Sequence, residues 1–314
     1  MTRLFEAKPY IICEVGSNWR TLGDCLESIR VAAECGASAA KFQLFSHGAL
    51  YGFCDATDSY SLPLEWLPTL RAKAEEVGIE FGCTAFSPEL VAAVDPYVHW
   101  HKVASSDAAW PQLLDAVASC NKPVILSTGA KTDDEVKRAS HMLSLKVPLI
   151  RMVCVAAYPA DYVDPTPFAI GARGIGLSDH TLGYTLPVFA ARCGAQVIEK
   201  HFTAFPDLDT PDLDTPDRPH SLTPTQFKRM VDIIRGREVE SEEKEMYTKH
   251  NRRLIATRDI APGEVMKYGE NYGAYRSLHD DIRGASPFDW EQVEGRVSKV
   301  ATARGGGIRV GDVE

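Results

Sequence analysis

Short apolar segments recur along the first two-thirds of the chain, each closing in polar residues and most followed by a helix-length stretch. That alternation is what most restricts the fold. The strand candidates are Tyr10–Val15, Ala39–Phe45, Ile79–Phe86, Val98–Ala104, Val124–Thr128, Leu149–Val155, Ile175–Ser178 and Gln196–Phe202. Helical stretches include Leu22–Cys35, Leu64–Val77, Pro111–Ser119, Asp133–Leu143, Tyr184–Cys193 and Thr225–Arg235. Thr132 with Glu135 forms a capping box, and Pro224 suits a first helical turn. Pro165–Ala172, after the sixth strand, is short enough for its helix to shrink to a turn. Eight such units in about 235 residues match a (β/α)8 TIM barrel, which takes ~250. An open doubly wound sheet would concentrate its chemistry in one crevice. Here nearly every strand ends in polar groups, as a closed ring of loops over one site requires.

The densest of these groups ends the last two strands. Ser178-Asp179-His180 closes one and Glu199-Lys200-His201 the other, with a crossover helix between them. Adjacent parallel strands lift both imidazoles to the same edge of the sheet, where neutral rings can share a divalent metal. Lys41, Lys102 and Lys200 lie at or near strand ends and are expected to converge on the mouth, suited to a phosphate and a carboxylate. Ser105, Ser127, Thr128 and Ser178 add short donors, and Gly129 lets backbone N–H groups come close. No glycine-rich nucleotide fingerprint is present.

The barrel is expected over residues 1–235, a charged linker over 236–250, and a small β-rich domain of short strands and turns over 251–314. The repeat Pro-Asp-Leu-Asp-Thr within residues 205–217 reads as a solvated loop over the barrel mouth. A net charge of -9 argues against a nucleic-acid partner. The 8 cysteines are scattered without C-x-x-C pairs, as buried reduced thiols are. The opening residues lack the apolar core of a signal peptide, and no run is long enough to span a bilayer. These features lead us to expect a soluble cytoplasmic protein with no membrane partner.

Several blocks resemble the sialic acid synthase family in order and spacing. They are Cys-Glu-Val-Gly-Ser-Asn (13–18), Ala-Lys-Phe-Gln (40–43), Lys-Val-Ala-Ser-Ser-Asp (102–107) and Lys-Pro-Val-Ile-Leu-Ser-Thr-Gly (122–129). Tyr-Pro-Ala (158–160), Gly-Leu-Ser-Asp-His-Thr-Leu-Gly (176–183) and Val-Ile-Glu-Lys-His-Phe-Thr (197–203) continue the series. The segment from Asn251 resembles that family's antifreeze-like (SAF) domain. The resemblance implies condensation of phosphoenolpyruvate with an N-acetylated hexosamine, typically N-acetylmannosamine, assisted by Mn2+ or Mg2+. It implies catalytic roles for Glu14, Lys41, Lys102, His180 and His201, with His180 and His201 as metal ligands. Thr84, Ser105, Ser127 and Ser178 join Lys41 and Lys102 in the implied phosphoenolpyruvate pocket. Gln43, Asp107, Tyr158 and Asp217 fall with Glu14 near the sugar. A domain-swapped homodimer is implied, with Arg276 of the SAF domain reaching the partner's sugar.

The chain departs from the family pattern at Trp19 and Arg20, usually His-Asn, and at Ala156, usually polar. Asp107 stands for the usual Glu, Asp217 is preferred to Asp212 by its spacing to Ser221, and Arg276 lacks a following Pro-Gly. Two other readings are a sister synthase acting on a phosphorylated aldose, and an inactive barrel kept as a binding protein.

Overall fold

The computed structural model describes residues 4, 9–51, 61–169, 174–205, 215–237, 252–276 and 284–314. It divides into two compact units, Met1–Glu238 and Val239–Glu314. The sequence-based linker lies almost wholly outside the described residues, as do Asp212 and most of the duplicated loop.

In the first unit β1 (Tyr10–Gly16), β2 (Ala39–Leu44), β3 (Glu80–Ala85) and β4 (His101–Val103) are followed by β5 (Val124–Ser127), β6 (Leu149–Val153), β7 (Ile175–Asp179) and β8 (Val197–His201). They form a closed barrel in sequence order, with β8 pairing in parallel with β1. The helices between and after them are α1 (Leu22–Glu34), α2 (His47–Tyr51), α3 (Leu67–Glu76), α4 (Pro88–Val94) and α5 (Pro111–Ser119). They continue with α6 (Asp133–Ser144), α7 (Thr166–Ala169), α8 (Thr185–Arg192) and α9 (Pro224–Ile234). Capping boxes at Thr21, Thr132 and Thr223 open α1, α6 and α9, each satisfying N–H groups that the first turn leaves free. Arg151, at the centre of the outward face of β6, is exposed.

The period of two along each strand sorts the barrel into two environments. Outward residues such as Cys13, Phe42, Phe81 and Leu126 pack in the layer beneath the helices. Inward residues change character from floor to mouth. Tyr10, Ile12, Ala39, Trp100, Ile125, Met152 and Val197 fill the lower barrel with apolar contacts. Glu80 is the exception there, and it accepts hydrogen bonds from the Tyr10 hydroxyl and from Trp100 Nε1, the latter at 3.0 Å. One or two steps further along, the same inward rows present Glu14, Lys41, Lys102, Ser127, Glu199 and His201. The floor is therefore a packed plug, and polarity is confined to the carboxyl ends.

The second unit has its own core, built from Leu254, Ile260, Met266, Tyr272, Val293 and Ile308. Its antiparallel pair is β9 (Arg252–Ala256) with β10 (Tyr272–Arg276), extended by isolated bridges such as Ile260↔Thr302 and Val265↔Val297. The later segments expected as strands contribute such bridges and short 3-10 turns rather than full strands. Among the described residues no helix is long and apolar enough to cross a membrane, and the cysteines there are free thiols.

Candidate active site

A cavity of about 430 Å³ opens at the carboxyl ends of the barrel strands. Of the expected site residues, Glu14, Lys41, Gln43, Thr84, Lys102, Ser105, Ser127, Tyr158, Ser178, His180, His201 and Asp217 all line it. Asp107 is half-buried on the 3-10 turn Ser105–Asp107 and lies outside the lining, where its neighbour Ser106 takes a place. Arg276 is exposed on β10 of the second unit.

Glu199 joins the two pocket lysines. Its Oε1 lies 3.2 Å from Lys102 Nζ and accepts a 2.8 Å hydrogen bond from Ser178 Oγ, while Oε2 is 3.6 Å from Lys41 Nζ. Lys41 also pairs with Glu14 Oε2 at 2.6 Å and donates to Thr84 Oγ1 at 2.9 Å. Gln43 Nε2 donates to Glu14 Oε1 at 3.1 Å. Burial opposes the charge on Glu199, but the two lysines outweigh it and hold its carboxyl below the ordinary range. Glu14 goes the other way. Burial, with Glu199 adding to it, lifts its pKa to about 7 against the pull of Lys41. Two carboxylates on one network are thus driven apart, leaving one ionised and one able to exchange a proton at neutral pH.

His180 and His201 line the other side of the cavity, and His220, outside the lining, packs against both. Ring centroids are 5.5 Å apart for His180 and His201, and 4.4 Å apart for His201 and His220. Tyr158 packs on His180 at 4.2 Å. His180 Nδ1 donates to the Val155 carbonyl at 2.7 Å, which leaves the lone pair on Nε2. Burial and the neighbouring His201 lower the pKa of His180 to about 4 and of His220 to about 3. Burial also lowers that of His201. The rings are neutral, the state in which imidazole binds metal.

Asp217 completes this side. Ser17 donates to its Oδ2 from the backbone N at 2.8 Å and from Oγ at 2.6 Å. Burial works against its charge, yet His201 and the Ser17 hydrogen bonds hold its carboxyl below the usual range. The close approach needs Gly16, whose φ is +57° and whose missing Cβ would sit 2.2 Å from Asp217 Oδ2.

The donor set suits a divalent cation. Nitrogen or oxygen atoms of His201, Asp217 and His220 lie within 4.8 Å of one another. His201 Nδ1 and both ring nitrogens of His220 are buried without a hydrogen-bond partner among the described residues. Leaving such groups unpaired costs ~1–3 kcal/mol each, and a bound ion would relieve one nitrogen of each ring it ligates.

Two corrections to the sequence reading follow from the strand period. Lys200 does not reach the mouth: it is fully buried on the outward face, with Nζ 2.6 Å from Asp179 Oδ2 and a second bond to the Thr181 carbonyl. Inward Glu199 and His201 flank it, so Lys200 must point away from them. Asp179 is turned outward for the same reason, between Ser178 and His180. Conversely, Glu199 has a larger part than its place in the polar cluster closing the last strand suggested, and His220 was not anticipated. His220 lies on the 3-10 turn Arg218–His220, where no periodicity signals a direction.

The chain matches the NeuB family over residues 28–245. It is 30% identical over 298 residues to a pseudaminic acid synthase of Campylobacter jejuni, covering 83% of this chain and 85% of that one. With an N,N'-diacetyllegionaminic acid synthase of Legionella pneumophila it shares 32% identity over 264 residues, 73% of this chain and 72% of the other. Among solved structures, an N-acetylneuraminic acid (sialic acid) synthetase from Leptospira borgpetersenii superposes with a TM-score of 0.66 at 26% identity. That alignment covers 77% of this chain and 91% of that one. By its matched span and by relatives aligned over most of its length, this chain belongs to the NeuB family.

Proposed function

We propose that the chain is a nonulosonic acid synthase, joining phosphoenolpyruvate to the open-chain aldehyde of an N-acetylated hexosamine such as N-acetylmannosamine. The observation that carries this reading is one cavity with paired buried lysines on one side and neutral imidazoles on the other. The relatives' activities support it.

Lys41 and Lys102 neutralise the phosphate and carboxylate of phosphoenolpyruvate, already oriented by Glu14 and Glu199. Ser127, whose buried hydroxyl lacks a partner among the described residues, donates to the same anion together with Ser105 and Thr84, while Ser178 lines the pocket with its hydroxyl held on Glu199. Carbon 3 of phosphoenolpyruvate forms the new bond to the aldehyde carbon, and the aldehyde oxygen becomes a hydroxyl. Water adds at carbon 2, the carbon–oxygen bond to phosphate breaks, and a 2-keto acid and inorganic phosphate remain. Glu14 moves the proton of that water, which its pKa of about 7 allows. Gln43, Tyr158 and Asp217 stand where the acceptor sugar would lie, with Asp107, on the turn beside the lining residues Ser105 and Ser106, serving the same substrate. His180 and His201 would hold a divalent cation, Mn2+ or Mg2+ in the reading from sequence, which when bound supplies Lewis acidity toward the aldehyde oxygen.

Lys102→Ala tests the anion side. Loss of one charge-assisted contact of ~1.5–3 kcal/mol should weaken phosphoenolpyruvate binding by about 10- to 100-fold while sugar binding changes little. Unchanged phosphoenolpyruvate affinity in calorimetry would remove Lys102 from the pocket. The cytoplasmic, domain-swapped homodimer belongs to the same proposal, with Arg276 serving the sugar. Arg276→Ala should therefore raise KM for the sugar by roughly tenfold, the loss of one polar contact, at constant phosphoenolpyruvate affinity. Equal KM values in variant and wild type would withdraw that role.

A further inference from the structure

His220 is not part of the ligand pair read from the sequence, yet its surroundings resemble those of a ligand more than those of a packed ring. It is 2% exposed and both of its nitrogens lack hydrogen-bond partners among the described residues. Its Nε2 lies 4.0 Å from Asp217 Oδ1, and His201 Nδ1 lies 3.8 Å from the same oxygen. Donors bound to one cation at ~2.0–2.2 Å stand roughly 3–4 Å apart, so these three need only a small contraction. The three rings satisfy a second condition. A ligated imidazole has its centre roughly 3.2 Å from the cation, so no two rings sharing one can be more than roughly 6.4 Å apart. The observed separations are 4.4 Å, 5.5 Å and 6.2 Å.

We propose that His220 ligates the cation directly, together with His201, Asp217 and His180, and that this nitrogen-rich set selects an imidazole-preferring first-row ion over Mg2+. The proposal rests on the cation site of the function proposed above and adds to it a ligand and a metal class. Imidazole suits Zn2+, Fe2+ and Co2+, whereas Mg2+ favours carboxylate, carbonyl and water oxygens. With three nitrogen donors and one oxygen donor, the set falls in the first class. A rival arrangement leaves His220 stacked on His201 and Tyr158, with its nitrogens bridged by water. Tyr158 is 5.4 Å away and makes that packing feasible, so the choice needs an experiment.

The test is titration of the chelator-stripped full-length protein with Co2+, followed by visible absorption and calorimetry, with Mg2+ as competitor. Wild type should bind Co2+ and lose little of it to millimolar Mg2+ (the order of concentration at which oxygen-rich sites hold hard cations). His220→Leu should lower Co2+ affinity by at least roughly 100-fold, the upper range seen for groups that merely support a ligand, and should change the spectrum. His220→Asp restores a donor of the harder class, so it should recover Co2+ binding but lose preference over Mg2+. If His220→Leu keeps wild-type affinity and spectrum while His201→Ala loses both, the cation site stands and His220 is no ligand. Absence of Co2+ binding by wild type would instead overturn the cation site itself. Should His220→Leu lack a cooperative thermal transition, X-ray absorption of Co2+-loaded wild type decides: three imidazole scatterers support the proposal and two refute it.

Discussion

Replacing His201 by alanine should reduce turnover by at least ~10³-fold while the barrel stays folded. The size follows from the several kcal/mol that a bound cation supplies to a developing charge, at 1.36 kcal/mol per factor of ten. His201 has a central place in the cavity: its ring neighbours those of both His180 and His220, and Asp217 faces it. Deleting it disconnects the imidazoles as a set, which removal of an edge member does not. The side chain is almost fully buried, so some stability is lost as well, on the scale of other large-to-small changes. Phosphate release from phosphoenolpyruvate and an N-acetylated hexosamine, with and without added divalent metal, measures the effect. Turnover within tenfold of wild type after chelation would eliminate the metal role.

The second large effect concerns stability rather than turnover. Lys200 and Asp179 are both 0% exposed at the side chain and 2.6 Å apart. Removing one partner of such a pair leaves the other charge buried without compensation, at a cost of ~3–5 kcal/mol. Lys200→Met preserves length and apolar bulk, so the predicted loss comes from the stranded Asp179 rather than from a cavity. Asp179 also accepts from Thr181 N at 3.1 Å and from Thr181 Oγ1 at 2.9 Å, contacts that soften the penalty without cancelling a full charge. The double variant Lys200→Met, Asp179→Leu should recover much of the loss, leaving a deficit of ~1 kcal/mol for the Thr181 groups deprived of an acceptor. Urea midpoints of the wild type, the single variant and the double variant give the cycle. A midpoint for Lys200→Met equal to wild type would show that the pair contributes nothing.

Much of the barrel could be read because its signals are local. Apolar strands with polar ends, the capping box at Thr132 and Glu135, and the Pro224 that opens the last helix are each written within a few residues, and the elements read from them appear within a residue or three of their expected bounds. Most pocket residues, among them Glu14, Lys41, Gln43, Thr84, Lys102, Ser127, Ser178, His180 and His201, were legible for a related reason: each lies at or next to a strand end, and the strand fixes its height, whereas Tyr158 and Asp217 lie on irregular segments and were expected only from the family resemblance. Facing was less well read. Lys200 and Asp179 were counted among groups at the mouth because they adjoin His201 and His180, although a period of two sends immediate neighbours to opposite sides. Applying that period would have separated them and left Glu199, inward with His201, as the group that links Lys41 and Lys102. His220 carried no such local clue. It comes from an irregular segment, and its place against His201 depends on the return of the chain after β8 and on the Ser17–Asp217 contacts some 200 positions apart in sequence. The second unit was legible as β-rich texture, but its isolated bridges need partners that no periodic pattern names.

The seam between β7 and β8 has a consequence for how the chain avoids folding wrongly. In register, Ser178 stands opposite Glu199 and Asp179 opposite Lys200. The first pair hydrogen-bonds on the inner face and the second forms its ion pair on the outer face. Sliding β8 by one position would turn Glu199 into the apolar layer of Phe168, Leu177 and Ala190, and would bring Lys200 inward beside Lys102. Both faces would then hold misplaced charge, and neither error could be relieved without undoing the other. The competing register is therefore separated from the native one by two independent penalties imposed together, which is the kind of gap that keeps a landscape directed toward one structure. The residues that make the cavity reactive and those that hide behind it act here as a single key, cut on both edges.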